Sequence, residues 1–286
     1  MQPPPNDHAP ELRASEFAQV KRLMHGRFGI ELRPGKEHLV RARLAKILRQ
    51  EQFASFGEYF NHVAADKTGE ALINLANALT TNHTSFFREP AHFDFLKQWL
   101  ASQRQAPGPI QIWSAACATG EEPYSIACTA LDEWEPEAAR AKIRILASDV
   151  STRALQTGAA GIYAEARFDS QPMDWKRRHL LRGSGRWAGC YQFKPHVRHM
   201  IEFKRINLME PLAALDRFSI IFCRNVLIYF DTRTQELVIN RLAERLEPQG
   251  YLFVGHAEGL FAHKHPLHHV CPAVYQKGSE PRRSHS

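Results

Sequence analysis

The 286-residue sequence predicts an α/β protein: an open parallel sheet that binds a ligand, preceded by a helical domain and interrupted by a small antiparallel β-subdomain. Three observations predict this. From Ile110 onward, short apolar runs alternate with helix-like segments, the pattern of a parallel sheet with helices on both faces. Before that point the apolar spacing is helical throughout, and between Ala164 and Arg198 the alternation breaks around a glycine-rich turn.

The helical segments come first. Phe17, Val20, Leu23, Met24 and Phe28 recur at helical spacing, as do Val40, Leu44, Ile47 and Leu48. Phe56, Tyr59, Phe60 and Val63 form a third set, and Leu72, Leu75, Ala76 and Leu79 a fourth. Gly29, Pro34-Gly35 and the capping-box sequence Ser55 to Glu58 punctuate them. A helix over Ala91–Ser102 and the turn Ala106–Pro109 lead into the sheet. Strands are expected near Ile110–Ser114, Ile143–Ser148, His199–Lys204, Phe218–Cys223, Tyr251–Gly255 and Val274–Gln276. A helix is expected over Thr232–Leu246, opened by a capping box at Thr232–Gln235, and in the insert a helix over Asp174–Leu181 precedes the turn Arg182–Gly189. The predicted organisation is a disordered tail 1–10, a helical domain 11–90, a linker 91–109, a sheet domain 110–278 with an insert near 164–198, and a disordered tail 279–286.

No apolar run approaches the roughly 20 residues that span a bilayer, and the opening residues lack a signal peptide's basic and apolar regions, so a cytoplasmic location is expected. Cys117, Cys128, Cys190, Cys223 and Cys271 are dispersed without a C-x-x-C, which suits reduced structural thiols. The net charge of +7 is concentrated between Lys21 and Arg49, where nine Lys and Arg face only Glu31 and Glu37. Such a surface is either a solvated helix face or an electrostatic dock for an acidic partner.

The stretch Ile110–Ser125 carries the ligand signal. An apolar strand runs into Ser114, Ala115, Ala116, Cys117, Ala118 and Gly120, small enough for close backbone approach, and then into a helix opening Glu121-Glu122-Pro123. One β-α unit later, a second strand ends in Asp149, placed for a ribose diol. Neither G-x-G-x-x-G nor G-x-x-x-x-G-K-[ST] occurs, so the site lacks a phosphate cradle. An adenosine ligand without phosphates, S-adenosylmethionine, fits, with Glu122 as an acceptor for its amino-acid end. The plainer reading is a small-residue turn that only packs a helix on the sheet.

Four blocks make the reading specific. Asn77-Ala78-Leu79-Thr80-Thr81-Asn82-His83-Thr84-Ser85-Phe86-Phe87-Arg88-Glu89, Ala118-Thr119-Gly120-Glu121-Glu122-Pro123-Tyr124-Ser125, Ala147-Ser148-Asp149 and Phe222-Cys223-Arg224-Asn225-Val226-Leu227-Ile228-Tyr229-Phe230 resemble the CheR-type methyltransferases over about Phe17–Gln276. Ala116 and Ala118 stand where many other methyltransferases have glycine. The resemblance implies a Rossmann-like S-adenosylmethionine-dependent sheet and methylation of glutamates on bacterial chemoreceptors. It assigns cofactor contacts to Asn82, Thr84, Arg88, Glu122, Asp149, Asn207, Leu208, Arg224 and Asn225, and substrate orientation to Arg88 and Tyr229. The implied partner is the cytoplasmic domain of a chemoreceptor. Its C-terminal peptide would bind the insert by strand addition to a monomeric enzyme.

Little acid–base chemistry is required, because a glutamate with a pKa of about 4.3 is already ionised at neutral pH. Placement and desolvation should dominate. Other readings are weaker. His263, His265, His268 and His269, with His256 nearby, read as a polar loop and not a metal site. Cys223 reads as a packed thiol rather than the nucleophile of an RNA methyltransferase, and no [DN]-P-P-[YF] stands at the strand edge. A nucleic-acid methyltransferase and a noncatalytic receptor-binding adaptor are the alternatives. Neither nucleic acid nor direct membrane insertion is expected.

Overall fold

A computed structural model describes residues 10–80 and 82–279; apart from Pro10 and Ser279, the expected tails lie outside them. The described chain forms two compact units. Residues up to Thr80 join Tyr229–Asp231 in one, and Asn82–Ile228 join the residues from Thr232 onward in the other.

The first unit contains α1 (Ala14–Phe28), α2 (Glu37–Gln50), α3 (Phe56–Ala65) and α4 (Glu70–Leu79). Their apolar stripes meet in a core of Val20, Met24, Val40, Leu44, Phe56, Phe60 and Leu75, each fully buried. At roughly 1.5–3 kcal/mol per buried large apolar side chain, this burial is what holds short helices together. α1 stops at Gly29, whose φ of 71° lets its N–H return to His25 O. Glu16 is buried and joins two helix starts, accepting from Arg13 N and Gly57 N at 2.8 Å each. Ser55 caps α3 by accepting from Glu58 N at 3.2 Å, while Glu58 reaches back to Ala54 N.

One member of the basic face is not a free surface charge. Arg43 is half-buried and donates to Leu79 O at 2.7 Å and Thr80 O at 3.2 Å, closing the C-terminal end of α4, where carbonyls lack helical partners. Lys46 and Arg49 are exposed. Tyr229–Asp231 is tied to this unit by Glu31 N to Tyr229 O at 2.8 Å, an Ile30–Phe230 bridge and a His25–Asp231 contact of 2.6 Å.

The second unit runs α5 (Pro90–Ser102), β1 (Ile110–Ala115), α6 (Glu121–Glu133), α7 (Pro136–Lys142), β2 (Ile143–Asp149), α8 (Thr152–Ala160) and β3 (Ile162–Ala164). It continues through α9 (Met173–His179), β4 (Leu180–Arg182), β5 (Cys190–Phe193), α10 (Pro195–Arg198), β6 (Ile201–Arg205) and β7 (Phe218–Phe222). It ends with α11 (Thr232–Arg245), β8 (Leu246–Phe253), β9 (Leu267–Cys271) and β10 (Val274–Lys277). The seven-stranded sheet has the order β6-β2-β1-β7-β8-β10-β9. The order turns back at β1, whose neighbours β2 and β7 both run parallel to it, so the loops leaving β1 and β7 diverge and open a crevice.

Several expectations need correction. The sheet is mixed, because β10 pairs antiparallel with both β8 and β9. His268 and His269 belong to β9, an edge strand whose Leu267 is buried while the histidines face solvent, so its polarity disguised it as a loop. At α11, Thr232 is already helical and so is not the residue that caps it, and Gln235 Nε2 donates to Leu227 O at 2.8 Å.

The insert is a three-stranded sheet, β3-β5-β4, antiparallel throughout. α9 ends at His179, earlier than expected, because Leu180 and Leu181 pair with Phe193 and Gln192. Its core is aromatic. Phe168, Trp175, Tyr191 and Phe193 are buried, and Phe193 stacks on Tyr124 of α6 at 4.0 Å. Gly183 cannot carry a side chain, since a Cβ there would lie 2.2 Å from Trp187 O.

Candidate active site

The crevice is built from loops at the C-terminal ends of the parallel strands. The loop after β1 holds Ala116 at φ 63°, Ala118 at φ 48° and Gly120 at φ 100°, a left-handed path that alanine adopts only at a cost. Backbone contacts hold it there: Cys117 N donates to Ser148 O at 2.8 Å and Ala118 N to Asp149 Oδ2 at 2.9 Å. At Gly120 a Cβ would come within 2.8 Å of Gly158 Cα and Tyr163 Oη.

Asp149, at the end of β2, is the hinge between these loops. Its Oδ1 accepts from Ser151 N at 2.9 Å and its backbone carbonyl from Ile206 N at 3.3 Å, which brings buried Asn207 and Leu208 alongside. Burial raises its pKa, opposed by the N–H groups of Ser151, Ala118 and Val150. With the N–H groups of Ser151, Ala118 and Val150 using up to three of about four lone-pair positions, the carboxylate can still accept from a ligand.

A chain of charges crosses the crevice. Ser114 Oγ donates to Glu122 Oε1 at 2.7 Å; Arg224 Nη1 donates to Glu122 Oε2 and Nη2 to Glu89 Oε2, each at 3.0 Å. The Arg224 side chain is 2% exposed, its guanidinium lies over the Phe93 ring, and its Nε–H is buried without a protein acceptor. Burial pushes Glu122 above the usual carboxylate range against the pull of Arg224 and Ser114. Burial also pushes on Glu89, but Arg224 and the His256 N–H outweigh it and hold Glu89 below that range. His92, next to this pair, is pulled down to about 4 by burial and by the Arg224 charge.

Arg88 is presented by a clamped backbone. Its neighbours Phe87 and Glu89 are left-handed at φ 54° and 58°, Phe87 N donates to Ser125 Oγ at 2.9 Å, and Arg88 O accepts from Arg224 Nη2. Its guanidinium is half-buried and reaches His83 O at 3.4 Å. Thr84 is held by Arg167, which donates to Thr84 O at 2.7 Å and pairs with Glu121; Asn82 opens the same segment. Asn225, at φ 58°, donates its N–H to Glu258 Oε2 at 2.7 Å, as does Gly255 N. Burial raises Glu258 against these N–H bonds.

The structure thus gathers Arg88, Glu122, Arg224 and Asn225 in one polar network, with Asp149, Asn207 and Leu208 along the adjoining strand ends. Tyr229 is grouped with the helical unit instead. Glu89 and Glu258 were not anticipated, and Ser114 was expected only as a small loop residue and not as a donor to Glu122. Glu89 directly follows Arg88 and precedes the first turn of α5, and Glu258 sits in Gly255-His256-Ala257-Glu258-Gly259 after β8, an acid at a strand-end turn being the available signal there. Cys223 is fully buried, and burial raises its thiol well above the usual range, which leaves it protonated and inert. Among the described residues, no helix is long and apolar enough to cross a membrane.

The family model for the CheR methyltransferase all-alpha domain matches residues 15–80, and that for the CheR methyltransferase SAM binding domain matches residues 82–275. Chemotaxis protein methyltransferase 2 of Pseudomonas aeruginosa is 39% identical over 264 residues, 91% of this chain and 92% of that protein. The chemotaxis protein methyltransferase of Borreliella burgdorferi is 35% identical, covering 92% and 94%, and that of Escherichia coli is 35% identical, covering 88% and 86%. The chain belongs to the CheR family and is an S-adenosylmethionine-dependent methyltransferase.

Proposed function

We infer that this methyltransferase esterifies glutamate side chains on the cytoplasmic domains of bacterial chemoreceptors, as its chemotaxis relatives support. The observation that carries the reading is Arg224, buried between Glu122 and Glu89, with Arg88 held beside it on a strained backbone. The residues fit S-adenosylmethionine. Glu122 and Asp149 can accept from an ammonium group and a ribose diol, and the buried Nε–H of Arg224 lacks a protein acceptor, as a ligand carboxylate would supply. When bound, the cofactor supplies a methyl group on a positively charged sulfur.

Every other task falls to the chain. Asp149 holds the diol, Glu122 the ammonium end, and Asn207 and Leu208 border the adenine; Asn82, Thr84, Arg224 and Asn225 complete the enclosure. Arg88 orients the incoming carboxylate, and Tyr229 shares that task. The nucleophile arrives ionised, so the site must hold it in line and dry and needs no base. The attacking carboxylate loses negative charge as the ester bond forms, so a tight grip on the ground state would slow transfer; Arg88 orients the carboxylate and releases its hold in the transition state.

Two surfaces serve the receptor. Lys46 and Arg49 on α2 attract an acidic receptor helix, and β4, an edge of the insert sheet flanked by exposed Leu181 and Trp187, accepts an extended C-terminal peptide as an added strand. Incubation with methyl-labelled cofactor and receptor cytoplasmic fragments tests the reaction. Label on receptor protein that is released by mild base is the expected result. Base-stable label, or label transferred only to nucleic acid, overturns it.

A further inference from the structure

Among the described residues, one group of His, Cys, Asp and Glu side chains converges with metal-ligand spacing: Glu89, His92 and His256, with ligand atoms within 4.8 Å of one another. Glu89 Oε2 lies 3.4 Å from His92 Nδ1 and 4.0 Å from His256 Nε2. Ligands about 2.0–2.1 Å from a tetrahedral ion sit roughly 3.3 Å apart, so the first spacing already matches and a small turn of one ring adjusts the second.

A second observation points to a ligand. The His92 side chain is 2% exposed, and its ring nitrogens have no well-formed hydrogen bond, the Pro272 carbonyl offering only a weak one. Buried polar nitrogens without partners are costly, and an imidazole lone pair is a strong donor to a transition metal. His256 is 51% exposed and leaves an entry path and an open coordination position. Glu89 Oε2 also accepts from Arg224, so an ion bound to this oxygen competes with that bond. The nearby guanidinium weakens binding relative to a closed structural site, and it also ties occupancy to the crevice.

We propose that Glu89, His92 and His256 bind a divalent ion of the zinc class, with water completing the coordination, and that occupancy draws Glu89 from Arg224 and inhibits methyl transfer. Cobalt(II) titration of the untagged full chain reads the site directly. Tetrahedral cobalt absorbs strongly in the visible, and a nitrogen–oxygen ligand set lacks the near-ultraviolet sulfur band that any of the five cysteines would add. The expected result is a visible band without a sulfur band, bound at least about tenfold more weakly by His256→Ala. His256 is exposed, so that variant keeps its fold. A paired His268→Ala and His269→Ala variant should bind as the parent does, and zinc should inhibit the parent at least about tenfold more effectively than His256→Ala. Absence of the band, equal binding and inhibition in parent and His256→Ala, or loss of binding with His268 and His269, overturns the proposal.

Discussion

Around the crevice, Phe87 and Glu89 before α5, Ala116 and Ala118 after β1 and Asn225 after β7 all hold left-handed backbone, whereas no described non-glycine residue of the insert from Ile162 to Arg198 does. The insert places its positive φ at Gly185 and Gly189, where it is free of strain. The binding is also opposite in kind. Buried charge and backbone-to-carboxylate bonds hold the strand ends, and stacked rings hold the insert. The two meet at Phe86, which stacks on Phe168 at 4.6 Å two residues before Arg88. Strain tolerated at one region and avoided at the other marks where geometry is constrained by chemistry and where it is constrained only by packing.

The largest effect should separate these two kinds of cohesion. Arg224→Met leaves Glu122 and Glu89 as uncompensated buried acids, at a cost of about 3–5 kcal/mol. Phe193→Ala removes a ring stacked on Tyr124 and costs a similar ~3–5 kcal/mol. Denaturant unfolding should give comparable losses, yet calorimetry on the folded fraction should find S-adenosylhomocysteine binding lost only in Arg224→Met. Loss of binding in both would mean that the insert shapes the crevice itself.

Arg88→Ala comes next. Its guanidinium is half-buried and contributes little to the core, so the thermal midpoint should stay within a few degrees while methyl transfer falls at least about 100-fold. Near-normal turnover would make Arg88 a connector. Asp149→Asn should weaken S-adenosylmethionine and S-adenosylhomocysteine alike by ~1.5–3 kcal/mol, the loss of a charge-assisted hydrogen bond. The amide retains an acceptor for only one of the two loop N–H groups, so part of that loss is loosening of the Ala118 loop. Asn and parent binding equally would remove Asp149 from the diol.

The helical unit supplies a surface with neither strain nor stacked rings. Lys46→Glu with Arg49→Glu should raise the receptor KM severalfold and flatten its salt dependence without changing cofactor affinity. Arg43 is excluded from that variant because its reversal would release the end of α4. Unchanged kinetics would leave the face a solvated one.

Legibility followed the same division. The helices of the first unit and strands β1, β2 and β7 were readable because burial enforces regular apolar spacing. β9 was not, because an edge strand buries one side only and its histidines are exposed. In the crevice, Glu122, Asp149 and Arg224 were visible as polar residues at strand ends, but Glu89 and Glu258 were missed. Their partners, Arg224 and the Asn225 N–H, are 135 and 33 residues away, and no local pattern signals such pairing.

The smallest effect probes the strain itself. Ala118 at φ 48° has a Cβ that clashes with its own backbone, at a cost of roughly 1–2 kcal/mol that glycine would relieve. Glycine also gains freedom in the unfolded chain, which returns about 0.4–1 kcal/mol of that relief. Ala118→Gly should therefore stabilise the protein by roughly 0–1.6 kcal/mol, raising the thermal midpoint by at most a few degrees. The same freedom should slightly loosen the Ala118 N–H bond to Asp149 and weaken S-adenosylhomocysteine binding by a few tenths of a kcal/mol. Stability and affinity would then move in opposite directions at one residue, as they should where left-handed alanine is kept for the shape of the loop. A variant that is less stable and binds equally well would show that the loop carries no such strain and that Asp149 alone sets its course.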